Sequence, residues 1–150
     1  MRAVIQRVKK SHLSINGNVF SSIKEGLLIL LGIGHNDNTE DMEWLSGKIS
    51  RLRIFSDNDG KMNLSVQDVN GEIMVVSQFT LFASTKKGNR PSYIDSAPPD
   101  IAIPLYNAFI EKIRQDSGLT VKTGEFGADM SISLINDGPV TIIIDSKSKE

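Results

Sequence analysis

Apolar residues recur along this chain in short blocks, and at two places their spacing changes from that of a strand to that of a helix. Residues 2–8 mix Val4, Ile5 and Val8 with polar side chains and predict a strand. Asn16-Gly17 separates short apolar segments within residues 11–23, a strong hairpin signal because both residues tolerate positive φ. The run "GLLILLGI" from Gly26 has no polar face and predicts a strand buried on both sides. A helix is expected next, within residues 38–55. Asn38 or Thr39 caps it, Glu40 and Asp41 suit the positive end of its dipole, and Met42, Leu45, Ile49 and Leu52 form one apolar face. "SDNDGKMN" reads as a turn, and "EIMVVSQFTLF" at 72–82 reads as a further strand.

A polar loop is expected over residues 83–96. Ser96 then opens a second helix with Pro98 in its first turn, an apolar face of Ala102, Leu105, Phe109 and Ile113, and a stop at Gly118. Pro104 either kinks this helix or moves its start. A short strand at 119–123 precedes the glycine-rich "GEFGADM". The closing stretch "LINDGPVTIIID", residues 134–145, poses a question. Asp137-Gly138 between apolar runs predicts a hairpin, yet Pro139 follows at once and has no N–H for the ladder. One reading puts Pro139 at the first position of the second strand. The other gives Gly138-Pro139 a special geometry, cis included, although only about 5–6% of X-Pro bonds in folded proteins are cis. Many strands and two separated helices define an α+β class with a mixed or largely antiparallel sheet. No repeat, low-complexity tract or linker interrupts residues 1–150, which read as a single domain.

Composition narrows the chemistry. With 39% hydrophobic and 23% charged residues in 150, the chain suits a soluble domain with a real core. It has no cysteine, which excludes disulfides, thiolate metal sites and a cysteine nucleophile, and which agrees with a reducing cytoplasm. "MRAVIQRVKK" lacks the apolar core of a signal peptide, and "GLLILLGIG" is far shorter than the roughly 20 residues that span a bilayer. The expected location is therefore cytoplasmic. Net charge is −1, so any contact with RNA is expected to be small in extent. Lys86, Lys87 and Arg90 come nearest to a basic patch, and such scattered cations are ordinarily solvated surface.

Several motif matches fail on inspection. "GIGHND" at 32–37 has Asp37 where a dinucleotide loop needs its third glycine. "SDNDGKMNLS" has its glycine too early for a calcium loop and no closing glutamate. His12 and His35 are the only imidazoles, and nothing in their setting marks a metal site. "SQFT" is more informative, because it ends an apolar strand with polar side chains. Strand alternation would put Ser77 and Phe79 on one face and Gln78 and Thr80 on the other. The segment is either a strand passing into solvent or a polar row bordering a pocket. Thr80 as a nucleophile needs a base, and no histidine, cysteine or lysine lies nearby in sequence. In "GEFGADM" the glycines either let a loop turn or expose backbone beside Phe126 and Met130 for a flat ring.

"SQFTLFA", "KKGNRPSY", "GEFGADM" and "NDGPVT" occur in this order, together with the amino-terminal "MRAVIQRV" and "GLLILLGIG". In that combination, over essentially the whole chain, the sequence resembles the D-aminoacyl-tRNA deacylase family. The resemblance implies a compact β-barrel-like body with two flanking helices, and a homodimer with two sites at its interface. It implies hydrolysis of the ester joining a D-amino acid, or glycine, to the 3′-terminal adenosine of tRNA, with no cofactor and no metal. Ser77, Gln78, Phe79 and Thr80 then surround the ester, with backbone N–H groups polarising its carbonyl and water attacking. Phe126, Gly127, Ala128, Met130 and Asn136 belong to the implied binding set, with Phe126 and Met130 around the adenine. Gly138-Pro139 matches a Gly-cis-Pro pair that enters the partner subunit's pocket and rejects L-residues by clash. Arg7 matches the residue that braces that pair, and the cations near 86–90 are expected at phosphates of the acceptor end. Two rival readings stay open: a nucleic-acid-binding module that keeps the fold without catalysis, and an esterase of free D-amino acids or peptides.

Overall fold

The computed structural model describes residues 1–149. Its elements, in order, are β1 (Arg2–Ile15), β2 (Asn18–Ile23), β3 (Gly26–Gly32), α1 (Thr39–Ser50), β4 (Phe55–Ser56), β5 (Met62–Leu64), β6 (Glu72–Ser77), a 3₁₀ turn (Phe79–Phe82), α2 (Pro99–Ser117), β7 (Val121–Thr123) and β8 (Met130–Asp145). The main sheet runs β2-β1-β3-β6-β7, with β8 on the other edge of β1. β1 pairs antiparallel with β2, β3 and β8, whereas β3–β6 and β6–β7 are parallel. The result is a nearly closed, barrel-like mixed sheet with two helices, as the α+β expectation requires.

β3 is buried on both faces, as its unbroken apolar run predicts. Leu27, Ile29 and Leu31 join Ile73 and Val75 of β6 and the helix residues Leu45, Ile49, Phe109 and Ile113 in the larger core. Leu28, Met74 and Val76 face the other way and form a second core with Val8, Leu13 and Ile23. This period-two split fills both sides of one strand pair. Asn16 and Gly17 both have positive φ, 52° and 78°, and turn β1 into β2 as the hairpin signal predicts. Residues 2–8 and the first arm of that hairpin are one continuous strand.

α1 begins with a reciprocal cap. The Asn38 side chain accepts from the Asp41 N–H at 3.2 Å, and Asp41 accepts from the Asn38 N–H at 3.0 Å. Lys147 reaches over to donate to the same Asp41 carboxylate at 2.6 Å. α2 starts at Pro99, with Pro98 as its cap and Gly118 closing it in the left-handed region. Pro104 sits inside α2, and the helix continues past it to Ser117. No helix among the described residues is long and apolar enough to cross a membrane.

Two expectations are corrected. β6 ends at Ser77, and the chain from Phe79 to Phe82 is a 3₁₀ turn instead of more strand. β6 pairs with β3 only as far as Leu31↔Ser77, and β3 itself ends at Gly32, so the apolar run has no ladder to continue on. The closing segment is not a hairpin either. β8 lies along β1 on both sides of Asn136-Asp137-Gly138-Pro139, from Ile15↔Met130 to Arg2↔Asp145. The register slips between Gln6↔Thr141 and Val8↔Asn136, so the Asp-Gly-Pro stretch is a bulge inside one long strand.

Burial alone would raise the Asp41 carboxyl, but hydrogen bonds from Lys147, Ser146 and Asn38 outweigh it and hold the group below its ordinary range. A depressed carboxyl adds stability that is present above the unfolded value and is lost as pH falls through the folded one. Asp41→Ala is expected to cost about 2 kcal/mol in urea unfolding at neutral pH. The gap between variant and parent should close below the ordinary carboxylate range.

Candidate active site

The parallel strands β3 and β6 end side by side, and ligand sites in such sheets lie beyond the carboxyl ends of the strands. The Gln78 N–H donates to Leu31 O at 2.8 Å, the last tie before the chain turns. The Leu81 N–H then donates to Gln78 O at 3.3 Å and the Ala83 N–H to Thr80 O at 3.0 Å, which closes the turn. The N–H groups of Phe79 and Thr80 open it and find no backbone acceptor among the described residues. The Gln78 side-chain amide donates to the Thr80 hydroxyl.

A small cavity of about 70 Å³ lies at this junction. Ser77, Gln78 and Phe79 line one side, Phe126 and Gly127 another, and Ile33, Ala97 and Ala102 complete an apolar lining. Thus two of the sequence-predicted segments, "SQF" and the middle of "GEFGADM", meet at one place. Phe126 is held edge-on to Tyr106, with ring centroids 5.7 Å apart. Tyr106 donates its hydroxyl to Val75 O at 2.9 Å, and burial pushes its pKa up to about 12. Buried and hydrogen-bonded to the β6 backbone, it is a fixed strut beneath Phe126. Phe79 is 56% exposed and meets Tyr93 edge to face at 5.1 Å. Tyr93 ends the segment "KKGNRPSY", and nothing in the one-dimensional pattern links it to Phe79.

Other predicted residues lie elsewhere. Thr80 lies within the turn but does not line the cavity, and no described side chain accepts its hydroxyl proton. Met130 is half-buried against the second core, on the far side of the sheet from the core that Phe126 joins. Ala128 belongs to a tight turn, its N–H donating to Glu125 O at 3.2 Å. Lys86, Lys87 and Arg90 share one groove with Ser84, Ser92, Ile94 and Asp95, and paired backbone bonds between Ser84 and Ser92 tie the ends of that loop. His35 donates from Nε2 to Ile94 O at 2.7 Å, and His12 lies in β1 opposite Ser22 and Ser133.

The Gly138-Pro139 bond is cis. These residues line no part of the cavity in their own chain. Buried Arg7 donates from Nε to Asp137 O at 3.0 Å and from Nη1 to Ile54 O at 2.6 Å, and its Nε lies 3.3 Å from the Asp137 carboxylate. Asn136 works from the other side, accepting from the Val140 N–H at 2.8 Å and donating to the Thr141 hydroxyl at 3.0 Å. Between them, one guanidinium and one amide take up backbone groups that the bulge has removed from the ladder.

Comparison with known proteins places the chain. A family model described as D-Tyr-tRNA(Tyr) deacylase matches residues 4–145. A D-aminoacyl-tRNA deacylase of Flavobacterium psychrophilum is 61% identical over 150 residues, the full length of both chains. The solved structure of a c-Myc DNA unwinding element binding protein is 40% identical with a TM-score of 0.92, covering 97% of this chain and 98% of that one. A probable eukaryotic D-amino acid tRNA deacylase, 18% identical, shares the fold with a TM-score of 0.80 over 95% of this chain and 97% of its own. These likenesses define the class, a hydrolase acting on aminoacyl-tRNA. The chain belongs to the D-Tyr-tRNA(Tyr) deacylase family.

Gly138 has φ +130°, and a Cβ there would lie 2.8 Å from Val140 Cγ2 and 3.0 Å from an Arg7 guanidinium nitrogen. Gly138→Ala is therefore expected to cost about 1–3 kcal/mol in urea unfolding, since both backbone conformation and space exclude the methyl. Unchanged stability would mean that the bulge is freely remodelled.

Proposed function

We propose that the protein hydrolyses the ester between a D-amino acid, or glycine, and the 3′-terminal adenosine of tRNA, at a site completed by a second copy of the chain. One observation carries this reading. Ser77, Gln78 and Phe79 meet Phe126 and Gly127 at one cavity, while Gly138-Pro139, firmly braced, stands outside it. A homodimer lets the bulge of one copy reach the cavity of the other. The scissile ester lies against the Gln78–Thr80 turn, where the free Phe79 and Thr80 N–H groups stabilise the developing oxyanion. Water is the nucleophile. Thr80 is no nucleophile in this scheme, because its hydroxyl receives the Gln78 amide and has no base.

The Gly138 and Pro139 carbonyls accept from the substrate ammonium group. An L side chain runs into the same rigid backbone, whereas a D side chain points away and glycine has nothing to clash. About 5.5 kcal/mol of clash gives roughly 10⁴-fold discrimination. Phe126 and Met130 flank the adenine, with Gly127 and Ala128 giving backbone access; Met130 has to turn from the second core to do so. Lys86, Lys87 and Arg90 meet phosphates of the acceptor end, a short contact that agrees with the net charge of −1. The cytoplasm, where aminoacyl-tRNA is used, is the proposed location. No cofactor or metal enters the scheme.

The name of the 40%-identical DNA unwinding element binding protein favours a second reading, nucleic-acid binding without ester chemistry. The test is hydrolysis of D-tyrosyl-tRNA against L-tyrosyl-tRNA by the purified protein. Loss of the D-ester alone is expected; survival of both esters beside tight DNA or RNA binding would favour the rival. Thr80→Ala is expected to keep activity within about tenfold, while Gln78→Ala loses roughly 10- to 100-fold in kcat. Total loss in Thr80→Ala with normal substrate binding would restore covalent catalysis.

A further inference from the structure

The turn that holds Gln78 and Thr80 is short, and a 3₁₀ helix of this length holds its own shape poorly. Its carboxyl end is fixed from outside. Arg2 donates from Nη1 to Leu81 O at 3.0 Å, and the same guanidinium lies over the Phe82 ring, 4.5 Å from its centroid. Its Nε donates to Asp145 Oδ2 at 2.8 Å. The Phe82 ring is also seated against two glycines at the end of β3. A Cβ on Gly34 would lie 2.7 Å from Phe82 Cε1, and one on Gly32 would lie 3.2 Å from Cδ2. Arg2 stands opposite both Gly32 and Asp145 in the sheet, so the start of β1 and the ends of β3 and β8 converge on this ring.

We propose that Arg2 is a positioning residue for deacylation, its guanidinium anchored by Asp145 and holding Leu81 O and the Phe82 ring so that the Gln78–Thr80 turn keeps its place at the cavity. This rests on the reading that the turn is the site of ester hydrolysis. The geometry suits arginine alone among the cations. A planar fork donates in different directions while its face stacks on an aromatic ring; a lysine ammonium is a point charge that meets one partner at a time. The Arg2 side chain is 42% exposed, so its pair with Asp145 adds little to folding. Its remaining contacts, with Leu81 O and the Phe82 ring, both fall on the turn, so what Arg2 fixes is the turn's placement.

The test is Arg2→Lys and Arg2→Met, assayed on D-tyrosyl-tRNA with thermal melting alongside. Both are expected to lower kcat roughly 10- to 100-fold, the scale of a misplacement near 1 Å, with KM and melting temperature nearly unchanged. In Arg2→Ala, free guanidinium at low concentration is expected to restore part of kcat, and ammonium is not. A wild-type kcat in Arg2→Met overturns the proposal, as does a loss that simply tracks the melting temperature. Gln78→Ala is run in parallel. If it is fully active, the site reading fails and takes this proposal with it; if it is inactive while Arg2→Met is wild-type, only the proposal fails.

Discussion

The β1–β8 ladder is the constraint on which the rest depends. β1 is paired along both edges, with β3 and β2 on one side and β8 along the whole of the other. Between Gln6 and Val8 the two strands do not match in length, and Asp137 to Val140 have only Arg7 opposite them. That excess chain must leave the sheet plane, and its backbone groups must find other partners. Arg7 and Asn136 supply them. A buried guanidinium is costly unless its donors are used, and here they are used on Asp137 O and Ile54 O. The bulge is thus specified by side chains within the sheet and on β8 itself, and it presents Gly138-Pro139 in one defined place.

The same sheet explains where the candidate site falls. β3 and β6 run parallel and stop together, so the chain after Ser77 must turn beside the amino-terminal end of α2. The turn brings Gln78 and Phe79 to a nearly apolar cavity, with Thr80 just beyond its lining and bonded through its hydroxyl to the Gln78 amide. Tyr106, beneath Phe126, is buried and spends its hydroxyl on Val75 O, and burial raises its pKa further above the ordinary tyrosine value. In the proposed scheme the chemistry falls to fixed backbone dipoles, whose value comes from their placement.

Local signals were legible wherever local physics decides. The apolar run of β3, the Asn16-Gly17 turn and the Asn38–Asp41 cap each follow from residues within a few positions of one another. The failures are nonlocal. Phe79, Leu81 and Phe82 continue the apolar pattern of β6, but only the end of β3 decides that the strand stops. Asp137-Gly138 has hairpin chemistry, but both flanks answer to the same β1 partner, which no short window reveals. Phe126 and Met130 are neighbours in sequence and sit on opposite sides of a sheet. The candidate site motifs came from the family resemblance, and of these the structure brings Ser77, Gln78, Phe79, Phe126 and Gly127 to one cavity. Arg2 was not legible, because an arginine near a strand start has no pattern until Leu81, Phe82 and Asp145 surround it.

The central claim is that the bulge of one chain completes the cavity of another. Its most direct test mixes two variants, Gln78→Ala and Gly138→Ala, each deficient alone. Subunits are exchanged, and hybrid dimers are verified by native mass spectrometry. In a hybrid, one of the two sites has both an intact turn and an intact bulge. The account predicts that D-tyrosyl-tRNA hydrolysis returns on mixing, to at most about a quarter of the parent rate under random assortment. Hybrids that form in quantity and stay as inactive as their parents would contradict it, and would place turn and bulge within a single chain's site.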